Sequence, residues 1–328
     1  YEHAVSKKLN LFNWPVPRMN ENYRYILSVY KSLNEDMQRG IGTTPAAEWL
    51  LDNFYIIEEQ VKSVRKDLSK EYYSRLPMLT SGPLKGYARI YTVALELVSH
   101  TDGRIDEKVL VNYINAYQSH RTLASRELWA LAIMIKLALI ENIKYICQTI
   151  EESQRQRRKV EDILSSAKTE DGFDADKLVH LVKNELKGEY KINSTFIEHL
   201  SYRLRKMGRA YAPVLRQIDD ILAVSGTDID YITHKEHSEQ TARKGSIGNC
   251  IVSLKYISSC NWVEIFEALS KVEDILRSDP DGTYNLMDLT SKNYYRKRIE
   301  ELALDFDVSE KHVANKVIEL ARKALEAG

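Results

Sequence analysis

The sequence predicts an all-α fold, a multi-helix bundle of two packed helical subdomains, and three observations carry that expectation. Only 13 Gly and 7 Pro punctuate 328 residues, too few breaks for many short strands. Apolar residues recur over long stretches at alternating steps of three and four, the period of a buried helical stripe. No stretch stands out with the strict two-residue alternation of a half-buried strand.

The length allows one large core or two smaller ones, because single cores stop growing near about 250 to 300 residues. With 47 basic and 47 acidic side chains the formal charge is zero, so no long-range field draws in a polyanion or an anionic membrane. Nucleic acid is therefore not an expected partner. Cys147, Cys250 and Cys260 are odd in number and lack the CxxC spacing of a metal or redox site, which reads as reduced core thiols. No basic, apolar, small-residue leader opens the chain. Tyr1 in place of a Met reads as the start of a piece taken from a longer protein.

An N-terminal helical segment is expected over 1–42. Thr44 and Pro45 then form a helix start, since a hydroxyl caps free amides and proline at the first helical position forfeits no hydrogen bond. Leu50, Phe54, Ile57, Val61, Val64 and Leu68 follow as one stripe. Pro77, Gly82, Pro83 and Gly86 mark a loop before a helix over 87–99, which Asp102-Gly103 ends. After the helical period of Val109, Tyr113, Ala116 and Tyr117 comes the most apolar stretch, 128–140. It contains Lys136 and falls short of the roughly 20 apolar residues that span a bilayer, so it reads as a central core helix. That helix is expected over 128–150 and onward through the charged residues 151–158, with a buried first half and a solvated second half.

The polar stretch around Asp171-Gly172 sets the boundary between a first subdomain over 43–165 and a second over 166–328. Helices are expected at 175–187, 194–207, 212–224 and 229–242, then a loop opening at Gly245 that leads into a short buried helix. Asp279-Pro280-Asp281-Gly282 is a turn. Helices over 291–305 and 310–325 close the chain, the last capped by Ser309 with Val308 and Val313 as a hydrophobic staple.

Several patterns carry possible chemistry. Glu48, Asp52 and Glu59 share a helix face, and paired carboxylates do acid and base work where burial splits their pKa values. A solvated helix face looks the same. His234 and His237 are spaced like helical metal ligands, without a third ligand at a recognisable spacing. Four DxD pairs (174/176, 228/230, 279/281 and 305/307) fall at turns and helix ends, where Asp is capping chemistry. Gly245, Gly248 and Asn249 precede a predicted helix whose N-terminus could hold an anion. No GxxxxGK[ST] loop, GxSxG elbow or HExxH is present. Residues 299–320 have helix-turn-helix spacing, but Glu310, Lys311 and His312 open the second helix with mixed charge. The 20 tyrosines, clustered at Tyr23, Tyr25, Tyr30 and at Tyr72, Tyr73, could offer sugar-stacking faces, though helix packing accounts for most of them.

Three groups of motifs resemble the N-terminal region of cyclic β-1,2-glucan synthases. The first runs Thr44-Pro45-Ala46-Ala47-Glu48-Trp49-Leu50-Leu51-Asp52-Asn53-Phe54 to Glu58-Glu59-Gln60. The second is Ala94-Leu95-Glu96-Leu97, His100-Thr101-Asp102-Gly103-Arg104, Ala116-Tyr117-Gln118, Glu127-Leu128-Trp129-Ala130 and Leu137-Ala138-Leu139-Ile140-Glu141-Asn142. The third is Ser246-Ile247-Gly248-Asn249, Asp279-Pro280-Asp281-Gly282, Tyr284, Met287-Asp288 and Tyr295-Arg296. In order and spacing they cover about residues 20–325, while 151–193 adds no quotable match.

The resemblance implies a parent that takes glucose from UDP-glucose with a divalent metal, extends a protein-attached β-1,2-glucan and closes it into a ring. A family 84 glycosyltransferase domain carrying DxD and QxxRW signatures would follow this region. No QxxRW occurs here, so no transferase residue is carried over. The implied role is a non-catalytic helical domain that scaffolds or regulates synthesis, without cofactor or metal of its own. Its partners would be the downstream transferase domain and the growing β-1,2-glucan, at the cytoplasmic side of the bacterial inner membrane, with no direct membrane span. The alternatives are a glycan-binding module and a helix-turn-helix protein. Glu48, Trp49, Asp52, Asn53, Glu59, His237, Gly248 and Asn249 are the candidate residues for glycan or interdomain contact, and none is assigned a catalytic role.

Overall fold

The apolar stripe that opens at Leu50 is buried along its whole length, from Leu50 itself to Leu68. The computed structural model describes residues 5–6, 12–170, 172–188 and 193–327. Asp171 of the expected turn and most of the first eleven residues of the expected segment 1–42 lie outside the described residues.

Among the described residues there are fifteen α-helices and two short antiparallel pairs of strands. In chain order, β1 (Val5–Ser6) precedes α1 (Pro15–Gln38), α2 (Pro45–Asp67) and α3 (Lys70–Ser74). Next come β2 (Met78–Leu79), α4 (Arg89–His100), α5 (Glu107–Gln118) and the 42-residue α6 (Ser125–Ser166). The β3 (Lys168–Thr169) and β4 (Gly172–Phe173) strands lead to α7 (Ala175–Gly188), α8 (Ser194–Met207), a 3-10 turn (Arg209–Tyr211) and α9 (Ala212–Ala223). The last six helices are α10 (Ile229–Ser259), α11 (Trp262–Leu269), α12 (Lys271–Leu276), α13 (Thr283–Leu286), α14 (Leu289–Asp305) and α15 (Glu310–Ala327). The all-α expectation holds. No described helix is long and apolar enough to cross a membrane.

Helix ends follow the local chemistry read from the sequence. The Thr44 hydroxyl accepts the Ala47 amide, and Ser309 accepts that of His312. Asp102 and Gly103 take left-handed φ values of 50° and 71° after α4, the conformation that stops a helix. Asp174, Asp228 and Asp288 each accept an amide three residues on, at 3.0, 2.7 and 2.9 Å, so two of the DxD pairs do cap helices.

Two compact units share the chain. One comprises Tyr1–Met19, Gln60–Leu139 and Val252–Gly328; the other comprises Asn20–Glu59 and Ile140–Ile251. In the first unit β1 pairs with β2 in the register Val5↔Leu79 and Ser6↔Met78. Arg89, buried at the start of α4, forks onto the carboxylate of Glu127, with Nε to Oε1 at 2.9 Å. That carboxylate also accepts the Ala124 amide, closing the N-terminus of α6. Ser253 donates to the Gly103 carbonyl at 2.7 Å and accepts the Ile105 amide at 2.8 Å, fixing the turn between α4 and α5.

Helices α11 to α15 close around Glu273, which is fully buried. It accepts from Arg296 Nη2 at 2.7 Å, from the Tyr284 hydroxyl at 2.8 Å and from Arg277 Nε at 3.2 Å. Val272, Leu276, Tyr284, Ile299, Ala314 and Ile318 make the apolar cluster beside it. The second unit builds its apolar cluster from α6, α7, α8, α9 and α10, with Leu178, Phe196, Leu200, Leu204 and Ile218 among its members.

Two expectations are corrected. Residues 245–260 do not open with a loop: α10 runs unbroken to Ser259, its glycines in helical register, because a long buried stripe outweighs the roughly 1 kcal/mol that each glycine costs a helix. The charged second half of α6 is not solvated either, since Ser153, Gln154, Gln156 and Arg157 are buried. The other side chains of the unit supply complementary charge there.

Replacing Glu273 by Met takes from the buried Arg296 guanidinium one of its two carboxylates and leaves it Glu267 at 2.8 Å, and breaking a buried pair costs up to about 3 to 5 kcal/mol. Urea denaturation is expected to show a loss of that size, partly recovered when Arg296→Met is added; an unchanged midpoint in the single variant would refute the hub role.

Candidate functional site

All eight candidate residues fall within the second unit. On α2, Glu48, Asp52 and Glu59 stand exposed on one helix face. Asn53 turns its amide back to the Trp49 carbonyl at 3.0 Å. The Trp49 ring is half-buried, and a Cβ on Gly248 would lie 3.8 Å from it. The structure thus joins two of the candidates, and the glycine is where α10 leaves room for an indole.

Gly248 and Asn249 sit in mid-helix, where the amides are already engaged in the helical ladder. The helix N-terminus at Gly245 that could have held an anion is therefore not formed. His234 and His237 are both exposed, and His237 Nε2 lies 3.7 Å from Glu198 Oε1.

That contact is the rim of a buried ionic network in the same unit, which the sequence reading missed. Its deepest carboxylate, Glu236 on α10, accepts from Ser194 at 2.6 Å, Thr195 at 3.0 Å, Gln240 at 3.1 Å and Arg243 at 3.3 Å. Ser194 and Thr195 form the first turn of α8, whose positive dipole end favours a negative charge. Arg243 also donates to Ser153 of α6 at 2.8 Å.

One turn along α6, Arg157 reaches Glu198 of α8 at 3.4 Å. Burial pulls its guanidinium below the usual arginine range, against the opposing pull of Glu198 and Glu236. Glu161 bridges His199 Nε2 at 2.8 Å and Arg203 at 2.9 Å. Burial, then the charges of Arg157 and Arg203, push the His199 imidazole from 6.5 down to about 3. It is neutral near pH 7, and because the Glu161 carboxylate only accepts, Nε2 carries the proton and donates a hydrogen bond to it. Arg158 forks onto Asp36 of α1 with both distances at 2.8 Å.

The signal for this network was present in the sequence. Ile229, Ile232, Glu236, Gln240, Arg243, Ile247 and Cys250 follow one three-four stripe, so the polar trio lies in register with buried apolar residues. Ile150, Ser153, Arg157, Val160 and Leu164 repeat the pattern on α6. Each acid of the network is held by bases or hydroxyls from other helices.

The first unit carries a cavity of about 630 Å³ over the N-terminus of α6 and the α14–α15 turn. Glu310 closes one side, accepting from the Ser125 hydroxyl at 2.6 Å and amide at 2.9 Å, and burial raises its carboxyl above the usual range. Arg126 meets Glu300 at 2.6 Å. The lining mixes aliphatic side chains such as Pro77, Leu123, Val272 and Val308 with charged ones such as Arg75, Arg126, Glu300 and Lys311, and includes no aromatic ring on which a sugar could stack.

Most clustered tyrosines are packing groups. Tyr30 stacks on Phe54 at 4.1 Å, the Tyr72 hydroxyl donates to the Arg126 carbonyl, and that of Tyr73 accepts the Ala88 amide. Among the described residues no three His, Cys, Asp or Glu side chains converge to hold a metal, so the divalent ion implied by the resemblance finds no fitting donor set here.

No family model matches the chain. It is similar to cyclic beta-(1,2)-glucan synthase NdvB of Rhizobium meliloti (strain 1021), with 32% identity over 320 residues. The match takes in 94% of this chain and only 11% of that protein, so the chain corresponds to a small part of its relative. The resemblance read from the motifs is borne out over the extent they covered.

Two outcomes test the site's physics. Between pH 6.5 and about 3 the unfolded chain takes up a proton that folded His199 refuses, so this group's stabilisation is complete above pH 6.5 and declines as pH falls, by about 1.4 kcal/mol per unit. Urea midpoints measured from pH 8 to 4 should fall less steeply for His199→Gln than for the parent. Gly248→Ala is expected to keep the Trp49 emission and stabilise α10 by up to about 1 kcal/mol, whereas Gly248→Phe displaces the indole and shifts that emission to the red.

Proposed function

We propose that this chain is the N-terminal helical segment of a cyclic β-1,2-glucan synthase, and that it serves glucan synthesis by scaffolding or regulating the transferase domain of the same polypeptide. The observation that carries the proposal is the 32% identity maintained over 94% of the chain. In this reading UDP-glucose and its divalent cation bind elsewhere in the longer protein, on the cytoplasmic side of the inner membrane. The ionic groups described above support a structural rather than a catalytic part. Glu236, Glu198 and Glu161 are each committed to partners on other helices, while Glu48, Asp52 and Glu59 are exposed on one helix face.

The Trp49 ring, packed against Gly248, reads as a helix-spacing knob more readily than as a sugar platform. Two measurements on purified protein test the whole reading. The isolated chain with UDP-glucose and Mg²⁺ should release no UDP, and deleting it from the full-length synthase should lower β-1,2-glucan output while protein level and membrane insertion persist. UDP release by the isolated chain, or full activity of the deletion, would overturn the proposal. Calorimetric titration with linear β-1,2-glucans should stay flat to millimolar ligand; saturable binding lost in Trp49→Ala would establish a glycan-holding module instead.

A further inference from the structure

Exposed large hydrophobic side chains are unevenly distributed. Of the eighteen among the described residues, nine lie between Leu286 and Leu325, about an eighth of the chain. Those on α15 are ordered. Ala314 and Ile318 turn into the apolar cluster with α12 and α14. Beside them Val313, Val317, Leu320 and Ala324 recur at steps of four, three and four, the seam spacing of two helices packed side by side. Val313 is half-buried, but Val317 is 37% and Leu320 64% exposed, so this seam is apolar and uncovered.

The outer edge of the seam is basic. Lys316 and Lys323 flank it, and they share one carboxylate, Glu319, at 2.6 and 2.9 Å. Two cations on one anion leave that edge with a net positive charge. A second copy of α15 is a poor match for it. Antiparallel pairing would set lysine against lysine, and parallel pairing would set the lysines against the Ala314 and Ala321 edge, of which Ala314 is fully buried in the unit's own core. A helix with an acidic flank matches.

We infer that the Val317–Leu320–Ala324 seam of α15 is the docking surface for an amphipathic helix with an acidic flank, supplied by the same longer polypeptide outside these 328 residues. The inference rests on the reading of the chain as part of a synthase, whose relative is some nine times longer than the matched region. Apolar burial would supply the attraction and the lysines the register.

The test uses the full-length protein with p-benzoylphenylalanine at Leu320, and at Arg322 on the polar face as control. Irradiation followed by peptide mapping should give an intramolecular crosslink from Leu320, and not from Arg322, to a helical stretch outside this chain that carries Asp or Glu beside its apolar residues. Lys316→Glu with Lys323→Glu should lower the crosslink yield several-fold. Crosslinks to a second copy or to another protein, equal yields from both positions, or no crosslink would overturn the inference, and so would unchanged yield after charge reversal. The deletion assay reads separately: activity without the chain removes the proposed role but not a mapped crosslink, whereas an inactive deletion without a crosslink removes only the docking seam.

Discussion

A guanidinium taken out of water loses more hydration than a single carboxylate at 3.4 Å returns, and the second unit is organised around that constraint at Arg157. Its Nε finds no hydrogen-bond partner among the described residues, and burial weakens its hold on the proton. The arrangement persists because three carboxylates, Glu198, Glu236 and Glu161, surround the cation from α6, α8 and α10. Each of these acids has a second obligation, to the first turn of α8, to Arg203 or to His237. The helices are thereby held in one register, which aliphatic packing alone specifies less sharply.

The first unit solves the same problem with smaller, separate pairs. Arg89 with Glu127 ties the start of α4 to the start of α6, and Arg296 with Glu273 ties α14 to α12. In both, the carboxylate also accepts from groups on its own or a neighbouring segment, so the buried charge is satisfied on several sides. The Phe266 ring completes the second pair, lying 5.2 Å under the Arg296 guanidinium and stacked at 4.4 Å on Trp129.

Helices with a long stripe and at least one clear end signal, a cap or a glycine stop, were legible from the sequence: α2, α4, α8, α9, α14 and α15 each begin and end within a few residues of expectation. The short α3, α11, α12 and α13 were not, because one or two turns leave too few residues to display a period. Gly245 and Gly248 misled, since neither takes a left-handed φ and the buried residues Ile247, Cys250, Ile251 and Leu254 carry α10 through them. Charge misled in the same way. Residues 151–158 look like a solvated face, and only the positions of Asp36, Glu198 and Glu236 on other helices make them interior. Trp49, Gly248 and His237 were legible as special, but the reasons, an indole beside an absent Cβ and a rim contact to Glu198, are three-dimensional.

The ionic network also bears on how such a sequence can change over time. Glu236 answers to Ser194, Thr195, Gln240 and Arg243 at once, so a substitution at any one of them leaves a neighbour without its match. Drift at these positions must proceed by compensated pairs or pass through destabilised intermediates, while Leu178 or Ile218 in the adjoining apolar cluster can exchange singly for other aliphatic residues. Single substitutions are therefore costlier in the polar interior of the second unit than in the aliphatic cluster beside it.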